Sequence, residues 1–304
     1  MNVAITGASG FIGSHLSRMI EDLGHRVIFI SRTKKNVDED YLSFDDLFSL
    51  KFNINIDCFI HLASPNYDYS RDSSLEDGIV HLTSNILKVL NHYNCRKFIF
   101  FSSAKIYGEP SLTKELIYNE KSRPDPVSDY GKYKLKAENN IVDHANNSNL
   151  DYVIYRMPLV YGGSSKSNIN KLLKFIEKSY PFILFKNSDH LKKSVISIEN
   201  IKRYIKYNIH DLDSIKSAIF NITDKDSICL NELIKRKKRF IQSNSIIINL
   251  PYFILRIITK IPFLNNYFLK LYGGFEISNK NIENAYKIEC HESFDYIFHM
   301  NQNE

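Results

Sequence analysis

The sequence has 304 residues, 43% of them hydrophobic, which is enough for a large folded core and excludes an intrinsically disordered chain. Its net charge of +6 is concentrated in residues 233–275, which hold basic residues and no acidic one, and this local excess argues against a surface built to bind nucleic acid. The four cysteines have neither metal-ligand nor redox spacing, so we expect no metal site and a reducing, cytoplasmic environment.

The first 32 residues predict a strand, a glycine turn, a helix and a second strand. Residues 2–6 form an apolar run that is too short for a helix. Apolar residues then recur with the helical period from Phe11 until Gly24 ends the helix, and residues 27–30 read as a buried parallel strand.

Three glycines punctuate the turn between this strand and this helix: Gly7, Gly10 and Gly13. Glycines in this position allow the bend, let a pyrophosphate approach the backbone and let the helix pack on the strand. The amides at the helix start, at Phe11 and Ile12, would attract the phosphates. We therefore predict a dinucleotide site, and the alternative is a glycine turn without a ligand.

The end of the second strand predicts which dinucleotide is bound. An acidic residue there would accept a hydrogen bond from the ribose of NAD, whereas Ser31 and Arg32 suit the additional phosphate of NADP. The cofactor is therefore NAD(P)(H), with NADP(H) favoured. The alternative is that Arg32 is a solvated loop residue paired with the acids at 38–40. Asp45, after a short strand at 41–44, is expected to face the adenine side.

Strands and helices alternate through the rest of the first half. The segment 56–65 predicts an apolar strand that ends in small residues, and at Leu62 and Ala63 the backbone can approach the cofactor. His61 reads as a histidine with satisfied hydrogen bonds. The next predicted elements are a helix at 75–93, a strand at 97–103, a helix from Ser128 or Asp129 to about 147, and a strand at 151–156. This order predicts an α/β fold with a doubly wound parallel sheet.

The second half is less regular. Its predicted elements are a flexible loop at 160–165, a helix at 168–179, a strand at 195–197, a helix at 198–210, a late strand at 218–222 and a surface helix at 230–240. We interpret residues 1–157, with the late strand, as a dinucleotide-binding core, and residues 158–304 as a smaller substrate-binding lobe.

Tyr130 and Lys134 are the candidate acid–base pair. They lie one helical turn apart on one face of the predicted helix. Tyr93 and Lys97 have the same spacing by chance, but only Tyr130 accompanies a glycine turn and a strand that ends in Ser103. Ser103 would hold a substrate oxygen while Tyr130 transfers a proton, and the charge of Lys134 would favour the phenolate.

These motifs together resemble the extended short-chain dehydrogenase/reductase family of nucleotide-sugar epimerases, dehydratases and ketoreductases. The resemblance rests on five segments: Thr6-Gly-Ala-Ser-Gly-Phe-Ile-Gly13, His61-Leu-Ala63, Ser102-Ser-Ala-Lys-Ile-Tyr-Gly108, Tyr130-Gly-Lys-Tyr-Lys134 with Ala137-Glu138, and Arg156-Met-Pro-Leu-Val-Tyr-Gly162. It implies a Rossmann fold, a cofactor contact at Met157 and substrate contacts at Ser64, Ser103 and Lys105.

Three further segments in the second half are Pro158-Leu-Val-Tyr-Gly162, Asn168 at the start of a helix, and Lys193-Ser194 before Ile198-Glu-Asn200. Through these segments the second half is similar to the 4-epimerases and 4-ketoreductases of bacterial surface-polysaccharide and O-antigen synthesis. By that resemblance Asn168 and Lys193 would touch a nucleotide diphosphate sugar, with Lys193 at the diphosphate. This chain departs from the family at Tyr133, at Lys193 and at Ile79, where serine, arginine and a cofactor-contacting asparagine are usual. A lysine keeps the charge at 193 but lacks the bidentate fork of arginine.

The resulting hypothesis is an NAD(P)-dependent enzyme that acts at C4 of a nucleotide-linked sugar. Reduction of a 4-keto group is slightly favoured over 4-epimerisation because Arg32 suits NADPH. A homodimer is the hypothesised assembly. The alternative class is a non-catalytic NAD(P)-binding sensor with the same fold.

The basic segment at 235–270 has two interpretations. Lys235 to Arg239 precede an apolar stretch at 245–264, a composition that suits weak association with an anionic membrane surface, at the inner face of the membrane. The alternative, which we favour, is that its leucines and isoleucines pack under the edge of a sheet as part of the substrate lobe.

Overall fold

The computed structural model describes residues 1–32, 40–65, 72–113, 117–162, 168–178, 180–214 and 216–293. The chain forms two compact units. Unit 1 comprises residues 1–108, 123–156 and 201–220, and unit 2 comprises residues 109–122, 157–200 and 221–304. The chain therefore passes from one unit to the other several times.

The regular elements are as follows. The strands are β1 (Asn2–Thr6), β2 (Arg26–Ser31), β3 (Tyr41–Ser43), β4 (Cys58–His61), β5 (Lys97–Ser103), β6 (Asp151–Met157), β7 (Leu159–Tyr161), β8 (Phe182–Lys186), β9 (Lys192–Lys193), β10 (Val195–Ser197), β11 (Ala218–Asn221), β12 (Ile228–Cys229) and β13 (Ile247–Pro251). The helices are α1 (Phe11–Asp22), α2 (Phe44–Phe48), α3 (Asp72–Glu76), α4 (Leu82–Val89), α5 (Asp129–Asn146), α6 (Asn168–Glu177), α7 (Ile198–His210), α8 (Leu230–Phe240), α9 (Tyr252–Ile258), α10 (Pro262–Tyr272) and α11 (Lys280–Tyr286).

Unit 1 is built around a seven-stranded sheet in the order β11-β6-β5-β4-β1-β2-β3. The pairs from β3 to β5 are parallel, with Thr6 beside Ile30 on one side and beside His61 on the other. Val3, Ala4 and Ile5 are fully buried because helices cover the sheet. The doubly wound parallel α/β fold predicted from the alternation of elements is confirmed.

The continuous helix predicted at 75–93 is wrong in its middle and at its end. A π-helical turn at Asp77–His81 separates α3 from α4, and α4 ends at Val89. At the turn the backbone of Gly78 lies so close to Pro65 that a β-carbon would fall 2.3 Å from the proline ring. A π turn adds one residue to the helix locally, and such turns are frequent beside functional sites.

Unit 2 contains three small two-stranded pairings: β7 with β10, β8 with β13, and β9 with β12. The predicted strand at 195–197 and helix at 230–240 are confirmed. Part of the predicted flexible loop at 160–165 is instead strand β7, and residues 163–165 lie outside the described part of the chain. Strands β8, β9, β12 and β13 were not predicted because their pairing joins segments that are distant in sequence.

A buried ion pair fixes α5 to the sheet in unit 1. The Glu138 carboxylate on α5 accepts hydrogen bonds from Arg156 on β6, at 2.7 Å from Nη2 and 3.1 Å from Nε, and from the Ser102 hydroxyl on β5. Arg156 also donates to the Tyr107 hydroxyl at 2.9 Å. Both charges are therefore compensated inside the protein, with exposures of 1% for Glu138 and 5% for Arg156.

Removing one member of this pair leaves the other charge buried and uncompensated. Glu138→Ala is expected to lower the free energy of unfolding by about 3–5 kcal/mol. The matched control is Glu232→Ala, which breaks the exposed pair between Arg236 and Glu232 on α8 and is expected to cost about 0.3–0.5 kcal/mol. Denaturant unfolding followed by circular dichroism measures both, and equal losses would contradict the structural role given to Glu138.

Candidate active site

The glycine turn after β1 forms a tight cradle. Gly7 has φ of +73°, and a β-carbon on it would lie 2.9 Å from the Ala63 amide nitrogen. A β-carbon on Gly13 would lie 2.3 Å from the Gly7 carbonyl oxygen. No side chain caps the start of α1, and its first turn has no acidic residue, so the amides from Phe11 onward remain available to an anion.

The turn thus fits the pyrophosphate of a dinucleotide by shape and by charge. A side chain at Gly7 or Gly13 would occupy the space needed for close backbone approach, and the uncapped helix start carries positive partial charge. Gly10, whose amide donates to the Gly7 carbonyl at 2.9 Å, closes the turn.

A chain of hydrogen bonds aligns the ends of β1 and β4 beside this cradle. The Thr6 hydroxyl oxygen accepts from the amides of Leu62 and Ala63, each at 3.1 Å, and its proton therefore points to His61 Nδ1 at 2.7 Å. His61 Nε2 lies 3.1 Å from the Thr83 hydroxyl, which donates to the Ile79 carbonyl. His61 is thus a satisfied buried histidine, as predicted, and burial lowers its pKa to about 3.

The end of β2 presents Ser31, which is half-buried, and Arg32, which is exposed. Ser31 pairs with Ser43 of β3, and Ser43 caps α2 through a reciprocal pair of hydrogen bonds with Asp46. Asp46 is therefore a structural acid, whereas Asp45 in the same turn is exposed. Asp40, one of the acids considered as a partner for Arg32, instead pairs with Arg26 at 2.6 Å, and residues 38–39 lie outside the described part of the chain.

Helix α5 begins close to the turn that follows Ser103. Ser128 is its N-cap, and Gly131 lies where a β-carbon would fall 2.7 Å from the Lys105 carbonyl oxygen. The Lys105 amide in turn donates to the Ser103 hydroxyl at 3.2 Å. Glycine at 131 therefore permits the close packing that brings the start of α5 to the end of β5.

Lys134 is buried one turn further along α5. Its ammonium nitrogen donates to the Phe101 carbonyl at 2.9 Å and lies 4.7 Å from the centre of the Phe100 ring and 5.8 Å from that of Tyr130. Burial lowers the pKa of Lys134 to about 7, and the negative charge of Glu138 opposes the shift. Lys134 therefore changes protonation near neutral pH.

The pKa of Tyr130 differs from the expectation that the charge of Lys134 favours the phenolate. Burial raises the pKa of Tyr130 to about 12, and a hydrogen bond from the Ser64 side chain, in the loop after β4, acts in the opposite direction. Burial is thus the larger influence on the phenol. The structure brings together the loop with Ser64, the end of β5 with Ser103, and the face of α5 with Tyr130 and Lys134.

The sequence that forms this arrangement matches a known protein family. Residues 3–193 match the profile of the NAD dependent epimerase/dehydratase family, a span that includes the glycine cradle, Ser103, Tyr130 and Lys134. The chain belongs to this family. Among relatives of this NAD dependent epimerase/dehydratase family member, the UDP-glucose 4-epimerase of Vibrio cholerae is 27% identical over 249 residues, which cover 77% of this chain and 74% of the relative.

Solved structures share the fold of this family member. A UDP-glucuronic acid 4-epimerase from Bacillus cereus, solved in complex with NAD, has a TM-score of 0.75 at 19% identity and covers 99% of this chain and 97% of its own. A human epimerase family protein, solved with NADPH, has a TM-score of 0.77 at 17% identity, with 100% of both chains covered. The predicted extended short-chain dehydrogenase/reductase architecture is confirmed.

The remaining predicted residues of this family member lie in unit 2. Met157 is the last residue of β6 and is half-buried. Asn168 begins α6, and its side chain lies outside the described part of the structure. Lys193 on β9 donates to the main-chain carbonyls of Lys270 and Leu271 at the end of α10, the second at 3.2 Å, and burial lowers its pKa to about 7.

The sequence reasoning missed the residues that support the site rather than those that would touch a ligand. Thr83 was not selected, and Thr6 and Glu138 were identified only as motif residues without a role, although each of the three holds a predicted site element in place. The available signals were a threonine at the end of β1 opposite a histidine at the end of β4, and an acid two turns after Tyr130 on the same helical face.

The cradle predicts a specific effect of glycine substitution. Gly7→Ala is expected to reduce NAD(P) affinity by on the order of tenfold or more, because the added methyl group meets the Ala63 backbone where the pyrophosphate must approach. Isothermal titration calorimetry with NAD and NADP measures the change.

Gly24→Ala is the matched control for this substitution. Gly24 also has positive φ, of +81°, but a β-carbon there meets nothing within 4 Å. It should lose about 1 kcal/mol of stability through the backbone conformation alone and retain cofactor affinity. Equal affinity in Gly7→Ala and wild type would show that the turn is not a cofactor site.

Proposed function

We propose that this protein is an NAD(P)-dependent enzyme that inverts C4 of a nucleotide-linked sugar, with a UDP-sugar as the substrate class. The observation that carries the proposal is the convergence of Ser103, Tyr130 and Lys134 at the carboxyl edge of a sheet whose first turn fits a pyrophosphate. Support for C4 epimerisation comes from the relative in Vibrio cholerae, a UDP-glucose 4-epimerase.

The reaction requires hydride and proton transfer at one carbon and its oxygen. A bound nicotinamide supplies hydride acceptance and return at C4. The Ser103 hydroxyl, whose oxygen already accepts from the Lys105 amide, uses its remaining proton to orient the sugar oxygen. The Tyr130 oxygen takes the hydroxyl proton as C4 is oxidised and returns it as C4 is reduced from the opposite face.

Because Tyr130 is buried, Ser64 and Lys134 each have a role in the proposed reaction. With its pKa near 12 the phenol is protonated at neutral pH, which suits the step that donates a proton. Formation of the phenolate needs stabilisation, which the Ser64 hydrogen bond and a protonated Lys134 provide. Because the pKa of Lys134 is near 7, a small change in local charge is enough to protonate it.

The substrate contacts of Asn168 and Lys193 stay predictions. The Lys193 nitrogen donates to two carbonyls, and an ammonium group has three donors, so one donor remains for a phosphate oxygen. A role in polysaccharide or O-antigen synthesis rests on the family resemblance of the second half. A cytoplasmic site of action rests on the cysteine pattern, and a homodimeric assembly stays a hypothesis.

We propose NADP(H) as the preferred cofactor because Arg32 is exposed at the end of β2 and Asp40 is engaged by Arg26. Arg32→Ala should weaken NADP binding by on the order of tenfold to a hundredfold, because one charge-assisted contact is lost. NAD binding should be unchanged, since NAD lacks the additional phosphate. Arg18→Ala, at an exposed position of α1, is the control. A parallel loss for both cofactors would refute the assignment of Arg32 to the additional phosphate.

A 4-ketoreductase is the second candidate, and Arg32 is the observation that favours it, since reductive biosynthesis usually uses NADPH. The two activities differ in their cofactor balance. Epimerisation interconverts UDP-hexoses, detectable by proton NMR, with no net change in absorbance of the reduced nicotinamide. A reductase instead consumes NADPH when a UDP- or dTDP-4-keto-6-deoxy sugar is added.

Tyr130→Phe tests the chemistry itself. The variant should lose about 10²- to 10⁴-fold in kcat, because its ring lacks the group that transfers the proton, and it should still bind NAD(P). The proton NMR assay of UDP-hexose interconversion measures the turnover. If a measurable cellular role survives the substitution, the protein acts as a non-catalytic sensor.

Tyr93→Phe is the control, since Tyr93 and Lys97 repeat the spacing of Tyr130 and Lys134. The Tyr93 hydroxyl donates to the Leu47 carbonyl at 2.7 Å, and Lys97 pairs with Asp151 at 2.9 Å. This variant should lose about 1–3 kcal/mol of stability and keep its turnover.

A further inference from the structure

Two consecutive helices of unit 2 carry the same surface pattern. In α9 and the residue pair after it, Phe253, Arg256, Ile257 and Lys260 follow the spacing i, i+3, i+4 and i+7. In α10, the same spacing holds Phe263, Asn266, Tyr267 and Lys270. Residues with this spacing lie on one face of a helix. Each helix thus presents two large apolar side chains together with at least one cation.

These apolar side chains are unusually exposed. The exposed fractions are 60% for Phe253, 56% for Ile257, 81% for Phe263 and 65% for Tyr267. Ile261, between the helices, is 37% exposed. Single exposed apolar residues are ordinary, but five large exposed apolar residues on two consecutive helices and the link between them indicate an interaction surface. We call these five residues, with Arg256, Lys260 and Lys270, the α9–α10 face.

The opposite side of the two helices is packed into the protein. Leu255 and Tyr272 are buried in a cluster with Phe185, and Ile254, Ile258 and Phe268 pack against it. The prediction that the leucines and isoleucines of this segment pack into the lobe is therefore correct for one side of the helices only. The α9–α10 face remains exposed although the helices are firmly held.

The charge of the segment indicates the partner. No acidic residue occurs from 233 to 275, and the cations of the α9–α10 face are all exposed. An isologous contact with a second copy would place these cations opposite the same cations, with no acid in the segment to compensate them. An anionic surface compensates them directly.

We propose that the α9–α10 face binds the surface of an anionic phospholipid bilayer. The aromatic rings lie at the depth of the headgroups, and the long side chains of Arg256, Lys260 and Lys270 reach the lipid phosphates. The helices are short, and none in the described part of the chain is long and apolar enough to cross a membrane. The two helices therefore lie parallel to the bilayer surface. This proposal concerns where the protein is located, and it does not depend on the proposed reaction.

The absence of tryptophan from the sequence provides a direct reporter. Phe263→Trp introduces a single tryptophan at the most exposed position of the face, and its emission should shift to the blue when vesicles with about one third phosphatidylglycerol are added at low salt. Val127→Trp, at a position in unit 1 that is 66% exposed, should show no shift. A blue shift in both variants, or in neither, would overturn the proposal.

Flotation of the full chain with the same vesicles measures the strength of binding. Binding should be present at about 0.05 M salt, largely lost at about 0.5 M salt, and absent with pure phosphatidylcholine. Arg256→Gln with Lys260→Gln should lower the ratio of bound to free protein about fivefold for each residue. Arg18→Gln with Lys216→Gln, which removes two exposed cations elsewhere, should leave the ratio unchanged.

Phe263→Ser with Tyr267→Ser tests the apolar contribution and separates a bilayer from a second copy. This variant should lose vesicle binding while its thermal unfolding curve stays that of the wild type, since both side chains are exposed. Light scattering on the lipid-free protein completes the test. A wild-type dimer that dissociates in this variant, without vesicle binding by either protein, would assign the face to self-association and overturn the bilayer proposal.

Discussion

The candidate active site depends on one buried carboxylate, that of Glu138. It is two turns after Tyr130 and one turn after Lys134 on the same face of α5, and it binds Arg156 on β6 and Ser102 on β5. Two strands and the helix are thereby joined at one point. Since Ser102 precedes Ser103 directly, the same contact sets the end of β5 against the part of α5 that carries the acid–base pair.

Much of unit 1 was predictable because its signals are local. The strand at 97–103 and the helix capped by Ser128 follow from apolar runs and a capping residue, and the glycine cradle follows from spacing within seven residues. The π turn at Gly78 was not predictable, since its close contact is with Pro65 on another loop. The pKa of Tyr130 was not predictable either, because the burial that raises it comes from packing between elements distant in sequence.

In unit 2, a motif of the family stabilises the fold. Asn200, in the segment Ile198-Glu-Asn200 that carried part of the resemblance, donates to the buried Asp224 carboxylate at 2.6 Å and exchanges hydrogen bonds with the His291 backbone. Asp224 also accepts from the Tyr161 hydroxyl at 2.6 Å. The motif therefore holds β7, the start of α7 and the segment near 291 together. Likewise, the contact of Lys193 with the end of α10 joins residues 77 positions apart, which no local pattern indicates.

The hydrogen bonds through His61 are polarised in one direction. Thr6 donates to Nδ1, Nε2 donates to Thr83, and Thr83 donates to the Ile79 carbonyl at 2.5 Å, so every proton points from the sheet toward the helix. A second proton, on Nδ1, would place a ring donor opposite the Thr6 hydroxyl, which is also a donor in that contact. The Thr6 oxygen would then have to accept from the ring, and it could no longer accept from the amides of both Leu62 and Ala63. The imidazole therefore works as a rigid neutral spacer, and His61 itself adds no charge beside the cradle in the pH range in which histidines ordinarily titrate.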